Sequence, residues 1–285
     1  MNVGQLKQRF STPGSAIKRR YVVGVFESME ELMDAAKRSA HVSYWSDQSA
    51  DWYGLGPEGA SSIARVCQLL STGWTRGADR MVKALAGLAD VQVKPKSVRR
   101  QNRWADQGDA LDIHRVNAGR LDAAWQKCRR EPQVGPQRVT LVCDAIESGG
   151  NDADTMFWRG AAVVTLADKL QSAGYNVEVV SAWTGINDDV RVICHVTVKQ
   201  SSQPLDLTTL ASAVACPAFF RALGHCWGNS VDGRRHPGGY SVGRWLAGPG
   251  EIVATHDRTW DAAVARAWVE AQIAALEANP VPVAA

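Results

Sequence analysis

Residues 138–183 constrain the fold of this chain most strongly, because they predict a strand, a helix and a second strand in succession. Val139 to Cys143 is a short apolar run with β-branched residues, typical of a strand covered on both faces. Apolar residues at helical spacing follow the loop after Asp144, and Gly174 stands where a helix would end. Val177 to Val180 is the next strand. Since such a unit places its two strands side by side in parallel, the segment predicts an α/β core.

The composition indicates a soluble protein with an excess of tryptophan. The chain has 285 residues, 45% of them hydrophobic and 21% charged, which is enough for one large domain or two small ones. It contains 11 Trp against 5 Phe and 5 Tyr, and indole rings favour half-buried sites, interfaces and stacking surfaces. Six scattered cysteines, no signal peptide and no apolar run of membrane-spanning length predict a cytoplasmic protein, in the host cytoplasm if it is viral.

Turn and linker signals divide the chain into four parts. Residues 1–22 form a predicted basic arm without regular structure, and residues 23–132 a mainly helical region. Residues 133–227 form the α/β core, and residues 228–285 a glycine-rich loop followed by a C-terminal helix. The predicted fold class is therefore α/β, or α+β overall, with a helical N-terminal half packed on a small mixed sheet.

Apolar spacing predicts several helices in the first half. A capping box at Ser28 begins one that runs to about Ser39. Stripes over residues 60–70 and 78–88 predict two helices, and the short link between them predicts antiparallel packing. The apolar residues of segment 121–128 predict a further helix.

Two predicted elements in the second half bear on assembly. Alternation from Val190 to Val198 predicts a half-solvated strand at a sheet edge, with His195 on its exposed side. The helix over residues 259–277 carries two apolar stripes on roughly opposite sides. One stripe can face the core of this chain, so the other predicts a homo-oligomer formed through this helix.

Two basic segments stand out on a chain whose net charge is only +3. Residues 1–26 hold five cationic and no acidic side chains, and residues 94–130 hold ten Lys/Arg against four Asp. Cations next to aromatic rings suit a single nucleic-acid strand, since the cations contact phosphates and the rings stack on bases. The predicted contact residues are Lys18, Arg19, Arg20, Tyr21, Lys94, Lys96, Arg99, Arg100, Arg103 and Trp104. The alternative is a solvated basic surface with Trp104 in the core.

Other site chemistry is weaker in this sequence. Asp144 ends a predicted strand, where ligands of open α/β sheets gather, and with Glu147 and Ser148 it is a candidate for binding a divalent cation; the alternative is a capping carboxylate. The glycines of residues 54–59 follow no buried strand, which argues against a dinucleotide site. Paired zinc-ligand spacing is missing among Cys216, His225, Cys226 and His236. We therefore predict no cofactor, no metal centre and no catalytic residues.

The sequence contains five distinctive motifs: FESMEELMDAA (26–36), Trp52-Tyr-Gly54, Gly73-Trp74, CDAIESGGNDADTMFWRGAAVVTLADKLQSAGYNVEVVSA (143–182) and SQPLDLTTLASAVACPAFFRAL (202–223). Together they resemble an uncharacterised family found mostly in phages and their hosts. The half from Arg138 also resembles the opening of a von Willebrand factor A-like domain, which holds a metal with a D-x-S-x-S loop. Here that loop reads Asp144-Ala-Ile-Glu-Ser148, so the resemblance implies a truncated fold with a degenerate metal site.

These features favour a non-enzymatic, phage-type protein that binds single-stranded DNA and assists transcription or replication. Such a role resembles that of the RNA polymerase cofactors of podoviruses with a virion RNA polymerase, so a phage RNA polymerase is a candidate partner. The first alternative is a von Willebrand factor A-like protein-interaction module. The second is a metal-dependent nuclease that uses Asp144 and Glu147.

Overall fold

The structure is a computed structural model. It describes residues 1–11, 20–38, 51–55, 63–93, 101–108, 110–129, 138–187, 190–232 and 241–278. These residues form a mixed α/β fold with one large and one small sheet, which confirms the predicted fold class.

The helices of the described chain lie before, between and after the strands. They are α1 (Val3–Phe10), α2 (Met29–Lys37), α3 (Ile63–Thr72), α4 (Thr75–Ala86), α5 (Ile113–Asn117), α6 (Ala153–Ser172), α7 (Leu207–Leu210), α8 (His225–Asp232) and α9 (Ala262–Ala278). Residues 211–215 and 219–224 are π-helical. The strands are β1 (Arg20–Phe26), β2 (Gln101–Ala105), β3 (Ala110–Leu111), β4 (Trp125–Arg129), β5 (Arg138–Asp144), β6 (Asn176–Asn187), β7 (Val190–Lys199), β8 (Ser241–Gly243) and β9 (Glu251–Ala254).

The large sheet has the strand order β1-β7-β6-β5-β9, and β8 adds to β6. Strands β6, β5 and β9 are mutually parallel, whereas β7 runs antiparallel to β6 and parallel to β1. The carboxyl ends of β5, β6 and β9 therefore meet at one edge of the sheet, and Asp144 ends β5 at that edge, in register with Ala182. In open α/β sheets this edge is where ligands usually bind.

The β5–α6–β6 unit forms as predicted. Asp152 caps α6 by accepting the backbone N–H of Asp154 at 2.8 Å, and Gly174 follows the helix with a positive φ of 90°. Helix α6 packs between the sheet, α9, α4 and the π-helical residues 211–215. At Gly160 a Cβ atom would lie 2.3 Å from the carbonyl oxygen of Val214, so only glycine permits this close backbone approach.

The two faces of the large sheet carry separate cores. The larger core lies on the α6 side and includes alternate residues such as Leu141 and Cys143. The smaller core lies on the opposite face, where α1 and Trp245 cover the sheet. Phe10 meets the Trp245 ring edge-on, with the ring centroids 5.1 Å apart. The prediction that residues 1–22 lack regular structure is therefore wrong for residues 3–10, which form α1, and for residues 20–22, which begin β1.

The prediction that β7 is an edge strand is also wrong, because β7 lies between β1 and β6. Among the side chains expected to face solvent, Ile193 packs in the smaller core, Arg191 donates to the carbonyl oxygen of Phe10, and His195 lies beside the Trp245 ring. His195 is only 4% exposed, so its predicted exposure is wrong. The predicted loop of residues 228–257 is also partly wrong, since it contains the end of α8 and strands β8 and β9.

The small sheet is antiparallel, in the order β2-β4-β3. Trp104 pairs with Gln126, and Arg103 pairs with Lys127. The predicted helix over residues 121–128 is therefore wrong: a 3-10 turn at Leu121–Ala123 leads into β4. Leu121 is 64% exposed, so the apolar spacing that predicted the helix does not correspond to a buried face.

The remaining helices agree in position with the predictions and differ in packing. Helix α3 packs chiefly on α2 and residues 219–224, and α4 on α6, α7 and residues 211–215, so the two are not mainly partners of each other. In α9 the bulky residues of both apolar stripes are buried in this chain, namely Trp268, Val269, Ile273 and Leu276. The second stripe therefore requires no partner subunit, and the oligomer remains a prediction.

Within the described ranges, no single helix has the length and apolar character needed to cross a bilayer; the bent pair Leu207–Ala215 and Phe219–Gly228 meets those criteria only when taken together.

Candidate functional site

The predicted nucleic-acid contacts fall into three groups. Outside the described residues lie Lys18, Arg19, Lys94, Lys96, Arg99 and Arg100. Arg103 belongs to β2, where only its backbone is described. The structure places the other three in different sheets, with Arg20 and Tyr21 in β1 and Trp104 in β2. The two basic segments therefore do not share one sheet in the described chain.

Tyr21 is fixed by packing on the α1 side of the large sheet. Its ring packs against the smaller core, and its hydroxyl donates a hydrogen bond to the carbonyl oxygen of Phe10 at 3.2 Å. Arg191, its neighbour in register on β7, donates to the same oxygen at 2.9 Å. Tyr21 therefore joins β1 to the end of α1, which leaves little of its ring open for stacking on a base.

Trp104 is the better-placed aromatic residue, because its side chain is 39% exposed. The guanidinium of Arg115 lies over the indole, 3.8 Å from the ring centroid, and forms a cation–π contact. Helix α5 holds Arg115 in this position. Asp112 begins that helix by accepting the N–H of His114 at 3.0 Å, and its carboxylate also lies 3.7 Å from the Arg115 guanidinium.

Other cationic and apolar side chains lie in the same small sheet and in its connections. Lys127 and Arg120 are exposed, and Lys127 follows Gln126, the partner of Trp104 in register, so the Lys127 side chain lies on the other face of the small sheet. Exposed large apolar residues are also concentrated in this part of the chain, where they include Leu111, Ile113 and Leu121. We call the surface formed by β2, β4, β3 and α5 the Trp104 surface. Its combination of an open indole, aliphatic side chains and cations is suited to an unpaired nucleic-acid strand.

A second polar site lies at the carboxyl end of β5. It consists of Asp144, which the sequence predicts as a candidate, and His256, which it does not. Asp144 is fully buried, and its Oδ2 lies 2.8 Å from Nδ1 of His256 and accepts the backbone N–H of Trp245 at 3.1 Å. His256 follows β9, which ends beside β5 because the two strands are parallel. The only sequence signal for His256 was a short apolar run inside a glycine-rich stretch. A carboxylate that holds one ring nitrogen in this way fixes the orientation of the imidazole.

Glu147 has a structural role in the loop after β5. Its Oε2 accepts a hydrogen bond from Arg159 at 2.8 Å, in an ion pair whose side chains are only 1% and 2% exposed. Its Oε1 accepts from the amide of Asn151 and from the backbone N–H of Ser148. Both carboxylate oxygens are thus occupied, which disfavours Glu147 as a metal ligand.

Asp144 likewise lacks the neighbours that a metal ion needs. Among the described residues, no group of three or more His, Cys, Asp and Glu side chains is arranged to hold a metal ion. Arg221 further fixes the adjacent loops by donating to the carbonyl oxygens of Trp52, Ser148 and Asn151. Burial lowers the pKa of Arg221 to about 10.

Comparison with known proteins gives one family. No curated protein and no solved structure matches the chain. A family model described as a domain of unknown function (DUF7192) matches residues 10–260. The match spans both sheets and most of the helices of the described chain. Because it covers well over half of the sequence, the protein belongs to the DUF7192 family.

Proposed function

We propose that this protein binds single-stranded DNA through the Trp104 surface, without catalysing a reaction on it, and that it acts as a phage-type accessory to transcription or replication. The observation that carries the proposal is the open indole of Trp104, oriented by the stacked Arg115 guanidinium. A partner RNA polymerase is part of the same proposal. The cytoplasm, of the host if the protein is viral, is the compartment in which it would act.

Two physical arguments favour binding of single strands over duplexes at the Trp104 surface. An unpaired base exposes its flat face, and stacking on an aromatic side chain stabilises the complex by about 1–3 kcal/mol per base. Duplex readers commonly insert a helix into the major groove. The helix on the Trp104 surface, α5, has five residues, which is too short for that role.

The cations on this surface supply the electrostatic part of the proposed affinity. Lys127 and Arg120 are exposed within the same small unit as Trp104. Each contact with a phosphate of a single strand changes the slope of log affinity against log salt by about 0.7. Affinity should therefore fall as salt rises, and replacing Arg120 by Ala should make the salt slope shallower by about 0.7.

The two alternatives gain less support from the geometry. A nuclease that used Asp144 and Glu147 to hold a metal ion would need oxygens of both carboxylates, but both oxygens of Glu147 and Oδ2 of Asp144 already have partners, which leaves only Oδ1 of Asp144 unpartnered in the described chain. An interaction module of the von Willebrand factor A type would need a partner at the same edge. Among the described residues, no feature of this edge favours a partner as specifically as the exposed indole of Trp104 favours a base.

Replacing Trp104 by Ala should weaken binding of a labelled single strand by about 1–3 kcal/mol, or about 5- to 150-fold, because the stacking platform is lost. Fluorescence anisotropy with a labelled oligonucleotide measures this change, alongside a duplex of the same sequence that should bind more weakly to the wild type.

Matched controls remove similar side chains elsewhere. Leu246→Ala removes an exposed apolar side chain near the large sheet, and Lys37→Ala removes an exposed cation on α2. Both should leave affinity unchanged. Equal affinity of wild type and Trp104→Ala for the single strand, or an absence of binding by the wild type at low salt, would refute the proposed function.

A further inference from the structure

Arg115 covers one face of the Trp104 ring and exposes part of its own side chain. The centre of its guanidinium lies 3.8 Å from the centroid of the indole, a distance at which non-bonded heavy atoms attract each other strongly. The Arg115 side chain remains 30% exposed. Since the indole covers the guanidinium from one side, the surface that Arg115 offers to solvent lies away from the ring. Arg115 is therefore accessible to a ligand that approaches the Trp104 surface.

Contacts at its edge hold the guanidinium on the indole. Its Nη1 donates to the carbonyl oxygen of Ala123 at 3.5 Å, and its Nε lies 3.7 Å from Oδ2 of Asp112. Within the described chain these are the hydrogen-bond and ion-pair partners of the Arg115 side chain. The N–H groups of a guanidinium lie in its plane, so partners at these groups leave both faces free for stacking. The indole takes one face, and the second face has no stacked partner among the described residues.

Two roles of this guanidinium lead to opposite expectations for strand binding. As a cover, it takes the place of a base on the indole and has to leave before a strand binds. As part of the stacking surface, it stays in place and a base stacks on its second face. The second role breaks none of the contacts that hold Arg115, whereas the first breaks the cation–π contact and displaces the side chain from Asp112 and Ala123. Planar guanidinium groups are also suitable surfaces for stacking of unpaired bases.

We propose that an unpaired purine of the bound strand stacks on the second face of the Arg115 guanidinium, so that indole, guanidinium and base form three layers. Dispersion attraction grows with the number of atoms in contact, so a bicyclic purine gains more from this stack than a monocyclic pyrimidine. The positive charge of the middle layer also attracts the phosphates next to that base. The inference rests on the proposed function, because it concerns the same strand at the Trp104 surface.

Fluorescence anisotropy of the full chain with two labelled strands of about twelve nucleotides tests the proposal. One strand alternates dA with dC and the other alternates dT with dC, so neither pairs with itself. The wild type should bind the purine-containing strand at least about threefold more tightly. Arg115→Lys keeps the charge and loses the flat group. It should therefore weaken binding of this strand at least about fivefold, remove the preference for purine and leave the salt slope unchanged.

Two further variants show whether the layers act together. Trp104→Ala combined with Arg115→Lys should bind no more than about twofold more weakly than Trp104→Ala alone, because the indole holds the guanidinium in place and the two act as one unit. Arg76→Lys is the matched control, since Arg76 is an exposed arginine on α4, outside the small sheet. It should keep both the affinity and the purine preference of the wild type. Thermal unfolding followed by circular dichroism checks that each variant is folded.

Tighter binding by Arg115→Lys would identify Arg115 as a cover and overturn the proposal. Equal affinity of the wild type for the two strands would overturn it as well, and that comparison requires no variant to fold. If Trp104→Ala weakens binding and Arg115→Lys does not, this inference fails and the proposed function stands. If the wild type binds neither strand at low salt, both fail together.

Discussion

Replacing Arg159 by Met should lower the free energy of unfolding by about 3–5 kcal/mol. The substitution leaves the Glu147 carboxylate buried without its cationic partner, and an uncompensated charge in the interior is strongly unfavourable. Arg159 also donates to the carbonyl oxygen of Ile146 at 3.2 Å, so the loop after β5 loses a second anchor. Urea unfolding followed by tryptophan fluorescence measures the change.

A double variant separates the charge effect from simple loss of packing. Glu147→Gln combined with Arg159→Met removes both charges, and it should be markedly more stable than Arg159→Met alone. Arg266→Met is the surface control, because Arg266 pairs with Asp90 and Glu270 at exposed positions and should change stability by less than about 1 kcal/mol. A cost below about 1 kcal/mol for Arg159→Met would contradict the structural role assigned to the pair.

Acid should destabilise the protein steeply between about pH 6.5 and pH 4 because of two histidines, the buried His195 and the partly buried His225. Burial lowers the pKa of both His195 and His225 to about 4, with the Arg221 cation adding to the effect at His225. Below pH 6.5 the unfolded state binds more protons at these residues than the folded state does, so stability falls as the pH falls. Each histidine should contribute about 3 kcal/mol to the loss by pH 4.

Comparing variants isolates this effect from the titration of carboxylates. Urea unfolding at pH 7 and pH 4 should show that His195→Gln and His225→Gln each lose less stability over this interval than the wild type, by about 3 kcal/mol. His114→Gln, at an exposed position, should lose as much as the wild type. Identical losses in all four proteins would mean that the two rings are protonated in the folded state already near pH 6.

The parts of the fold that the sequence predicts well are local ones. Residues 138–180 contain a strand, a capped helix and a strand in continuous order, and the sequence pattern there matches the structure. Strand β7 was misplaced because its neighbour β1, residues 20–26, lies about 170 positions earlier in the chain. Segment 121–128 was misread because β4 acquires its conformation by pairing with residues 101–105.

In the candidate sites, too, the sequence predicts local features and misses those that depend on pairing between distant segments. Trp104 is 39% exposed and therefore does not belong to the core, whereas stacking of its ring on a base stays a prediction. The stacked Arg115 was missed, since only the pairing of β2 with β4 and the position of α5 bring it over the ring. His256 was missed as a partner of Asp144 because 112 residues separate them and only the parallel pairing of β5 with β9 unites them.

Photocross-linking to a single strand containing 4-thiothymidine, followed by mass spectrometry of the cross-linked peptides, tests the central claim most directly. If the Trp104 surface binds DNA, cross-links should concentrate in residues 101–129, and they should decrease in the Trp104→Ala variant. Cross-links confined to residues 20–26 or 138–254, with none in residues 101–129, would contradict the claim.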